Sequence, residues 1–368
     1  MNNSVRPFAV FIKALSVFVL INVLYGLIQP PVADVSAYNS IFPGMKRMPF
    51  GISEDPFTVA MDDLDALFVS HEISAEKKPD EIRVALIGDS SVWGEGLFLS
   101  DTLSGQWNQL NPRCGGKTIK VYNLGYPHPS ILKDLMFIEE AQERQPDAIL
   151  WFVTLNTLMN QNRLNPFITA NRARALQILN AYDFPYAPKK ALSEMDEGFY
   201  QRTLLGQRSF LARWMKLQAL GLIWSVTGKD RNDSPYQPAI ISPDVKRDPG
   251  YRGMEPGSDL RASLLLGALE AGYDLAGETP LALVNEPIFV ASGQNSAIRY
   301  NDLYPRWAYD QYRDIVAAHA QAASQTYLDL WDAVPPEFFF DPALYFNADG
   351  KRLLAERINP VLLSMVCN

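Results

Sequence analysis

Cysteine and histidine are scarce in this 368-residue chain: Cys114 and Cys367, and His71, His128 and His319. Neither cysteine lies in a Cys-x-x-Cys pair, so the usual zinc and redox motifs are missing and no metal or organic cofactor is expected. No Lys/Arg cluster interleaves with aromatic residues and the net charge is -8, which argues against nucleic-acid binding. There is no internal repeat and no low-complexity tract. Hydrophobic residues make up 48% and charged residues 20%, so the chain can bury the core of one large domain or two small ones.

A long hydrophobic run is present once, over residues 8–28. As a helix rising 1.5 Å per residue it can cross a hydrocarbon core of about 30 Å. Lys13 lies near its start and can snorkel to the headgroups. Arg6 and Lys13 place the N-terminus in the cytoplasm by the positive-inside rule, and Gln29-Pro30-Pro31 ends the helix. The other reading is a cleaved export signal with a weak small-residue site at Val35-Ser36-Ala37. Both readings put the main domain outside the cytoplasm, and the uncleaved anchor makes the protein single-pass.

Residues 30–80 read as a tether with a first helix around 58–68. A strand at 84–87, a helix at 101–111, a strand at 117–123, a helix at 130–144 and a strand at 148–153 then alternate, which predicts a parallel sheet covered on both faces. The alternation stops over 158–278, where helical stretches at 168–182, 199–227 and 258–275 and a polar loop at 228–257 read as an insertion. It resumes with a strand at 280–285, a helix at 304–324, a strand at 326–330 and a last helix at 347–366. The expected fold is α/β: a flavodoxin-like five-stranded parallel sheet flanked by helices, with a helical insertion and an N-terminal transmembrane helix. The expected division is an anchor (1–29), a tether (30–80), an α/β domain in two parts (81–157 and 279–368) and the insertion (158–278). The apolar band within 210–226 belongs either to the core or on a membrane surface.

Ligands of such sheets bind at the carboxyl ends of the strands. Polar residues follow each strand there: Gly88-Asp89-Ser90-Ser91, then Asn123-Leu-Gly-Tyr-Pro-His-Pro-Ser130, Thr154-Leu-Asn156-Thr157, Asn285-Glu286-Pro287 and Asp341-Pro-Ala-Leu-Tyr-Phe-Asn-Ala-Asp-Gly350. This order resembles the motif blocks of the SGNH (GDSL-type) hydrolases, over about residues 82–157 and 280–358. The resemblance implies Ser90 as nucleophile and an oxyanion hole from Ser90, the loop at Gly125 and His128, and Asn156. The pattern departs from the family in three places. Gly and Asp are absent around Asn156, His128 stands at the later glycine of the second block, and Tyr345 stands at the catalytic histidine, four residues after Asp341.

Tyrosine, with a reference pKa of ~10, is a poor general base, so the triad is incomplete. Three readings stand side by side. His128 acts as a displaced base; a lowered-pKa Tyr345 or Glu286 takes the role; or the site has kept binding and lost hydrolysis. Trp93, Asn285 and Glu286 are weaker candidates for substrate contact. His319 reads as a surface residue, and His71 has no motif around it. An N-terminal membrane helix before such a domain is similar to the D-alanyl transfer family DltD and to SGNH proteins of exopolysaccharide O-acetylation. That likeness implies an acyl ester on a cell-envelope polysaccharide as substrate and a membrane acyltransferase as partner. Finally, Cys114 and Cys367 end two helices expected side by side on one sheet face, which predicts a disulfide in an oxidising compartment.

Overall fold

A computed structural model describes residues 6–39, 41–42, 44–51, 57–161, 164–182, 184–195, 198–230 and 241–367. The elements, in chain order, begin with α1 (Pro7–Ile28), α2 (Leu64–Ser70), β1 (Glu81–Gly88), α3 (Ser90–Trp93), α4 (Leu103–Gln109), β2 (Arg113–Cys114), β3 (Lys117–Gly125), α5 (Ile131–Gln142) and β4 (Ala148–Val153). Next come α6 (Leu155–Leu158), α7 (Pro166–Ala170), α8 (Arg172–Ala181), α9 (Lys189–Ser193), α10 (Phe199–Arg202), α11 (Arg208–Thr227) and α12 (Gly267–Ala276), of which α7 to α12 fall in the segment read as an insertion. β5 (Leu281–Asn285), α13 (Arg306–Ala322), β6 (Thr326–Asp329) and α14 (Ala348–Val366) complete the chain.

The apolar runs become interior strands because both their faces are covered. Every residue of β1, β4 and β5 is buried. Alternate side chains of β1 enter opposite layers: Ala85 and Ile87 join one core, Val84 and Leu86 the other. The sheet order is β2-β3-β1-β4-β5-β6, with all neighbours parallel except β2 and β3. The five parallel strands thus have the flavodoxin-like order expected. The additional edge strand, β2, is half of a tight hairpin whose turn is Gly115-Gly116, both at positive φ (56° and 84°).

Helix starts follow their caps. Thr102 accepts from Gly105 N–H and opens α4; Asn347 accepts from Gly350 N–H and opens α14. The first helix begins later than expected, at Leu64, because Asp63 caps it by accepting from Ala66 N–H. The segment read as a tether is a working part of the core: Tyr38, Met45, Met48, Val59 and Met61 are all buried. The polar loop read over 228–257 includes residues 231–240, which lie outside the described residues.

Helices α4 and α14 pack side by side and bring Cys114 within disulfide reach of Cys367, with Cα atoms 5.7 Å apart. This bridge joins residues 253 positions apart and closes most of the chain into one loop. Reducing it, or replacing both cysteines by Ser, should lower the unfolding free energy by about 2–5 kcal/mol. Urea denaturation with and without reductant measures the change, and an unchanged midpoint contradicts it.

Candidate active site at the strand ends

Strand β1 ends at Gly88, where a side chain would strike Val92 and Phe152. Asp89 caps the short helix α3 by accepting from Ser91 N–H at 2.9 Å. Gly94, in the left-handed region at φ 89°, ends that helix after one turn. Ser90 is therefore the first helical residue, and its N–H has no intrahelical acceptor. Its hydroxyl is half-buried, while Ser91, Val92 and Trp93 are buried.

The Ser90 Oγ lies 2.9 Å from the Tyr345 hydroxyl. Tyr345 reaches it from the loop before α14. Asp341 Oδ1 shapes that loop by accepting from the N–H groups of Leu344 (2.9 Å) and Tyr345 (2.5 Å). The Phe340 ring stacks on the tyrosine, centroids 6.1 Å apart. Burial pushes the Tyr345 phenol up to about 12, against the opposing effect of the Ser90 hydroxyl. The expectation of a lowered tyrosine pKa is thereby corrected: at working pH the side chain is a neutral phenol. Burial also raises Asp341 above the usual carboxylate range, with the backbone N–H groups opposing. Its carboxylate is spent on backbone rather than on orienting a base.

Asn156 sits in α6, just past β4. Its Oδ1 accepts from the Tyr251 hydroxyl (2.9 Å) and from Arg252 Nη2 (3.0 Å). Arginine can only donate, so the amide orientation is set and the Nδ2 group faces the other way, without a hydrogen-bond acceptor among the described residues. Tyr251 and Arg252 come from the insertion. No signal in the polar loop marked them.

The loop after β3 divides its roles. Gly125 is glycine for packing, since a Cβ there would lie 2.3 Å from Trp93 N, and its N–H already donates to Asn123 Oδ1 at 3.0 Å. Tyr126 N–H is likewise spent, on Gly88 O. Gly125 therefore offers no free donor, contrary to expectation. His128 holds a glycine-like φ of 86° between two prolines, which have no N–H, and its own N–H has no hydrogen-bond acceptor among the described residues. Its ring packs edge-on against Phe50, centroids 5.5 Å apart, and makes no hydrogen bond to Ser90 or Tyr345 among the described residues. Burial lowers its pKa. With Thr157, Gln161 and Tyr186 it lines a cavity of about 350 Å³.

Three other expected contacts lie elsewhere. Trp93 is 2% exposed; its Nε1 donates to Met48 O and Arg47 covers its ring, so it is core. Asn285 is wholly buried, donating to Asp329 and accepting from Tyr309 and Tyr312 hydroxyls. Glu286 lies behind the turn, beside Ser91, Asp89 and Lys351 rather than Ser90, and burial first, then the Asp89 charge, raises its pKa well above the carboxylate range. His71 is buried and accepts from Ile73 N–H; His319 is half-buried beside Glu270.

Two buried lysines hold the turn. Lys133 Nζ donates to Gly88 O (2.7 Å) and Tyr126 O (2.9 Å) and pairs with Asp134 at 2.9 Å. Lys351 Nζ donates to Ser91 O (2.9 Å) and lies 3.2 Å from Ser91 Oγ. Burial lowers its pKa to about 8, with the Glu286 charge opposing. Sequence reading missed both. A Lys-Asp pair inside the apolar run of α5 was the only available hint. No group of His, Cys, Asp or Glu able to hold a metal occurs among the described residues.

The backbone at 128 generates a test. His128→Gly should leave stability unchanged or raise it by up to about 1 kcal/mol, whereas His128→Val should lower it by about 1–3 kcal/mol. Urea denaturation separates the two, and equal tolerance of both variants contradicts the left-handed assignment.

No family model matches this sequence, and no curated protein matches it. Solved structures do. One is a G-D-S-L family lipolytic protein from Veillonella parvula DSM 2008, at 10% identity over 76% of this chain and 97% of that one, with a TM-score of 0.34. Another is a carbohydrate acetylesterase family member from Sinorhizobium meliloti, at 13% identity over 77% of this chain and 99% of that one, with a TM-score of 0.33. A third, also a carbohydrate acetylesterase from Sinorhizobium meliloti, has 10% identity over 77% and 99%, with a TM-score of 0.34.

Proposed function

We propose that this chain is a membrane-tethered serine ester hydrolase or O-acyltransferase, with its main domain outside the cytoplasm. Its substrates are acyl groups of a cell-envelope polysaccharide or similar polymer. The observation that carries the reading is the Ser90 hydroxyl, accessible at the start of α3 and 2.9 Å from a tyrosine hydroxyl. The tether is supported by α1, whose most apolar window has a mean hydropathy of 2.2 and whose described buried residues are Asn22 and Gly26 alone.

Ser90 Oγ attacks the ester carbonyl carbon, and the carbonyl π pair moves onto oxygen. The donors assigned to that oxyanion are the N–H of Ser90, the N–H of His128 and Nδ2 of Asn156, none of which has a hydrogen-bond acceptor among the described residues. Tyr345 works as a relay. As Ser90 attacks, its proton moves to the Tyr345 oxygen while the Tyr345 proton moves in the same step to the alkoxy oxygen of the ester; the oxyanion pair then re-forms the carbonyl as the C–O bond breaks and the alcohol leaves. An acyl-enzyme results. Water or a sugar hydroxyl then attacks the acyl carbon, its proton passes to Tyr345, and Tyr345 returns a proton to Ser90 Oγ. A phenol held at about 12 keeps its proton at neutral pH, so a relay suits it better than standing alone as base. No cofactor is invoked.

Hydrolysis of p-nitrophenyl acetate tests this. Ser90→Ala should abolish turnover, and Tyr345→Phe should lower it at least about 10²-fold. The wild-type rate should lack the acid limb near pH ~6.5 that a histidine base produces, and Tyr345→His should introduce that limb and raise the rate. Asn156→Ala should cost about 10²–10³ in kcat, and Arg252→Ala less. Full activity in Tyr345→Phe contradicts the relay. So does a wild-type acid limb that His128→Ala removes, which would make His128 the base.

A second reading is a binding subunit that docks a membrane acyltransferase or a polysaccharide. It is favoured by Asp341, whose carboxylate holds backbone N–H groups and leaves no base oriented toward Ser90. It predicts ester binding without turnover.

A further inference from the structure

Helix α11 has two apolar faces, and the fold uses one. Leu217 and Gly221 are buried, Gly221 lies against the Tyr38 ring, and Trp214 Nε1 donates to Val35 O, so the side carrying 214, 217 and 221 faces the protein. At 100° per residue the opposite side carries Arg208 at the helix start and then six apolar residues, Ala212, Met215, Ala219, Leu222, Ile223 and Val226. All six are exposed, Met215 and Val226 at 59%. A helix on a soluble domain ordinarily turns polar residues that way. The helix contains no acidic residue, and Arg208, Arg213 and Lys216 stand in its first half.

The start of α11 is fastened to the end of α1. Asn22 Oδ1 accepts from Leu205 N–H at 2.9 Å, Tyr25 donates to Gln207 at 2.9 Å, and Gly26 lets α1 approach Phe199 and Thr203. Exposed Phe199 and Leu205 at this junction continue into the apolar side of α11. The rest of α1 stands clear of the domain, its described buried residues being Asn22 and Gly26.

We infer that α11 lies on the bilayer as an interfacial helix, with its outer apolar side in the acyl–headgroup boundary and its basic residues toward anionic headgroups. The inference rests on the membrane reading of α1. It makes the domain seated on the membrane surface, rather than swinging on its anchor, and holds the active site at a set height.

The test uses the full chain with its native disulfide, in phosphatidylcholine–phosphatidylglycerol vesicles. An environment-sensitive fluorophore is attached to one added cysteine per variant: Met215→Cys and Ile223→Cys on α11, Val17→Cys within α1, and Arg352→Cys on exposed α14. Quenching by lipids brominated high or low on their chains reports depth. Val17 should be quenched deeply, Met215 and Ile223 quenched by the shallow bromines with blue-shifted emission, and Arg352 not quenched. If Val17 is quenched and the α11 positions behave like Arg352, the inference is overturned and the anchor stands. If Val17 is also unquenched, the membrane reading itself fails. Shielding of the α11 positions only in native membranes, and never in protein-free vesicles, would assign that face to a partner protein and overturn the inference.

Discussion

The geometry of the site depends on two buried ammonium groups that hold the turn after β1. Lys133 gathers the carbonyls of Gly88 and Tyr126, so the loop carrying His128 is held against the strand end. Lys351 gathers Ser91 O from α14, so the loop carrying Tyr345 is held against α3. Burying an unpaired charge is costly; Lys133 is paired with Asp134 at 2.9 Å, and Lys351 is held by Ser91 O and lies against Ser91 Oγ. These contacts tie the segments that carry Ser90, His128 and Tyr345, three separated parts of the chain, to the same turn.

The same arrangement explains which hydroxyl is presented. Ser90 and Ser91 are adjacent in sequence, and one helical step separates their environments. Ser91 points inward to Lys351 and is 3% exposed. Ser90 points to the rim and meets Tyr345. An anchored, proton-bearing phenol next to a serine is chemically different from a serine–histidine pair. It cannot store a proton near neutral pH, but it can accept one and give one in a single step.

The sheet was legible because its strands are continuous apolar runs between caps: residues 84–87 and 148–153 need burial on both faces, and Thr102 and Asn347 mark helix starts. The hairpin strand β2 was legible in principle from Gly115-Gly116, but two residues of strand carry no periodicity. The segment before α2 misled because its buried apolar residues, Tyr38, Met45, Met48, Val59 and Met61, are irregularly spaced in sequence. At the site, position after a strand pointed to Ser90 and Tyr345, whose hydroxyls the fold brings 2.9 Å apart, and to Asn156 just past β4. It failed for Asn285 and Trp93, because a strand end does not say which neighbours a side chain meets. Asn285 turns to Asp329 and two tyrosines of α13, and Trp93 lies one helical turn into the core. Tyr251 and Arg252, which orient Asn156, are joined to it by tertiary contact alone.

The central claim is that Ser90, and not its neighbour, is a competent nucleophile at the strand ends. Incubation with a fluorophosphonate, intact-mass measurement and peptide mapping address it directly. The account predicts one adduct, on Ser90, absent from Ser90→Ala and retained in Ser91→Ala. No adduct on the wild-type protein, or an adduct that persists in Ser90→Ala, would contradict it.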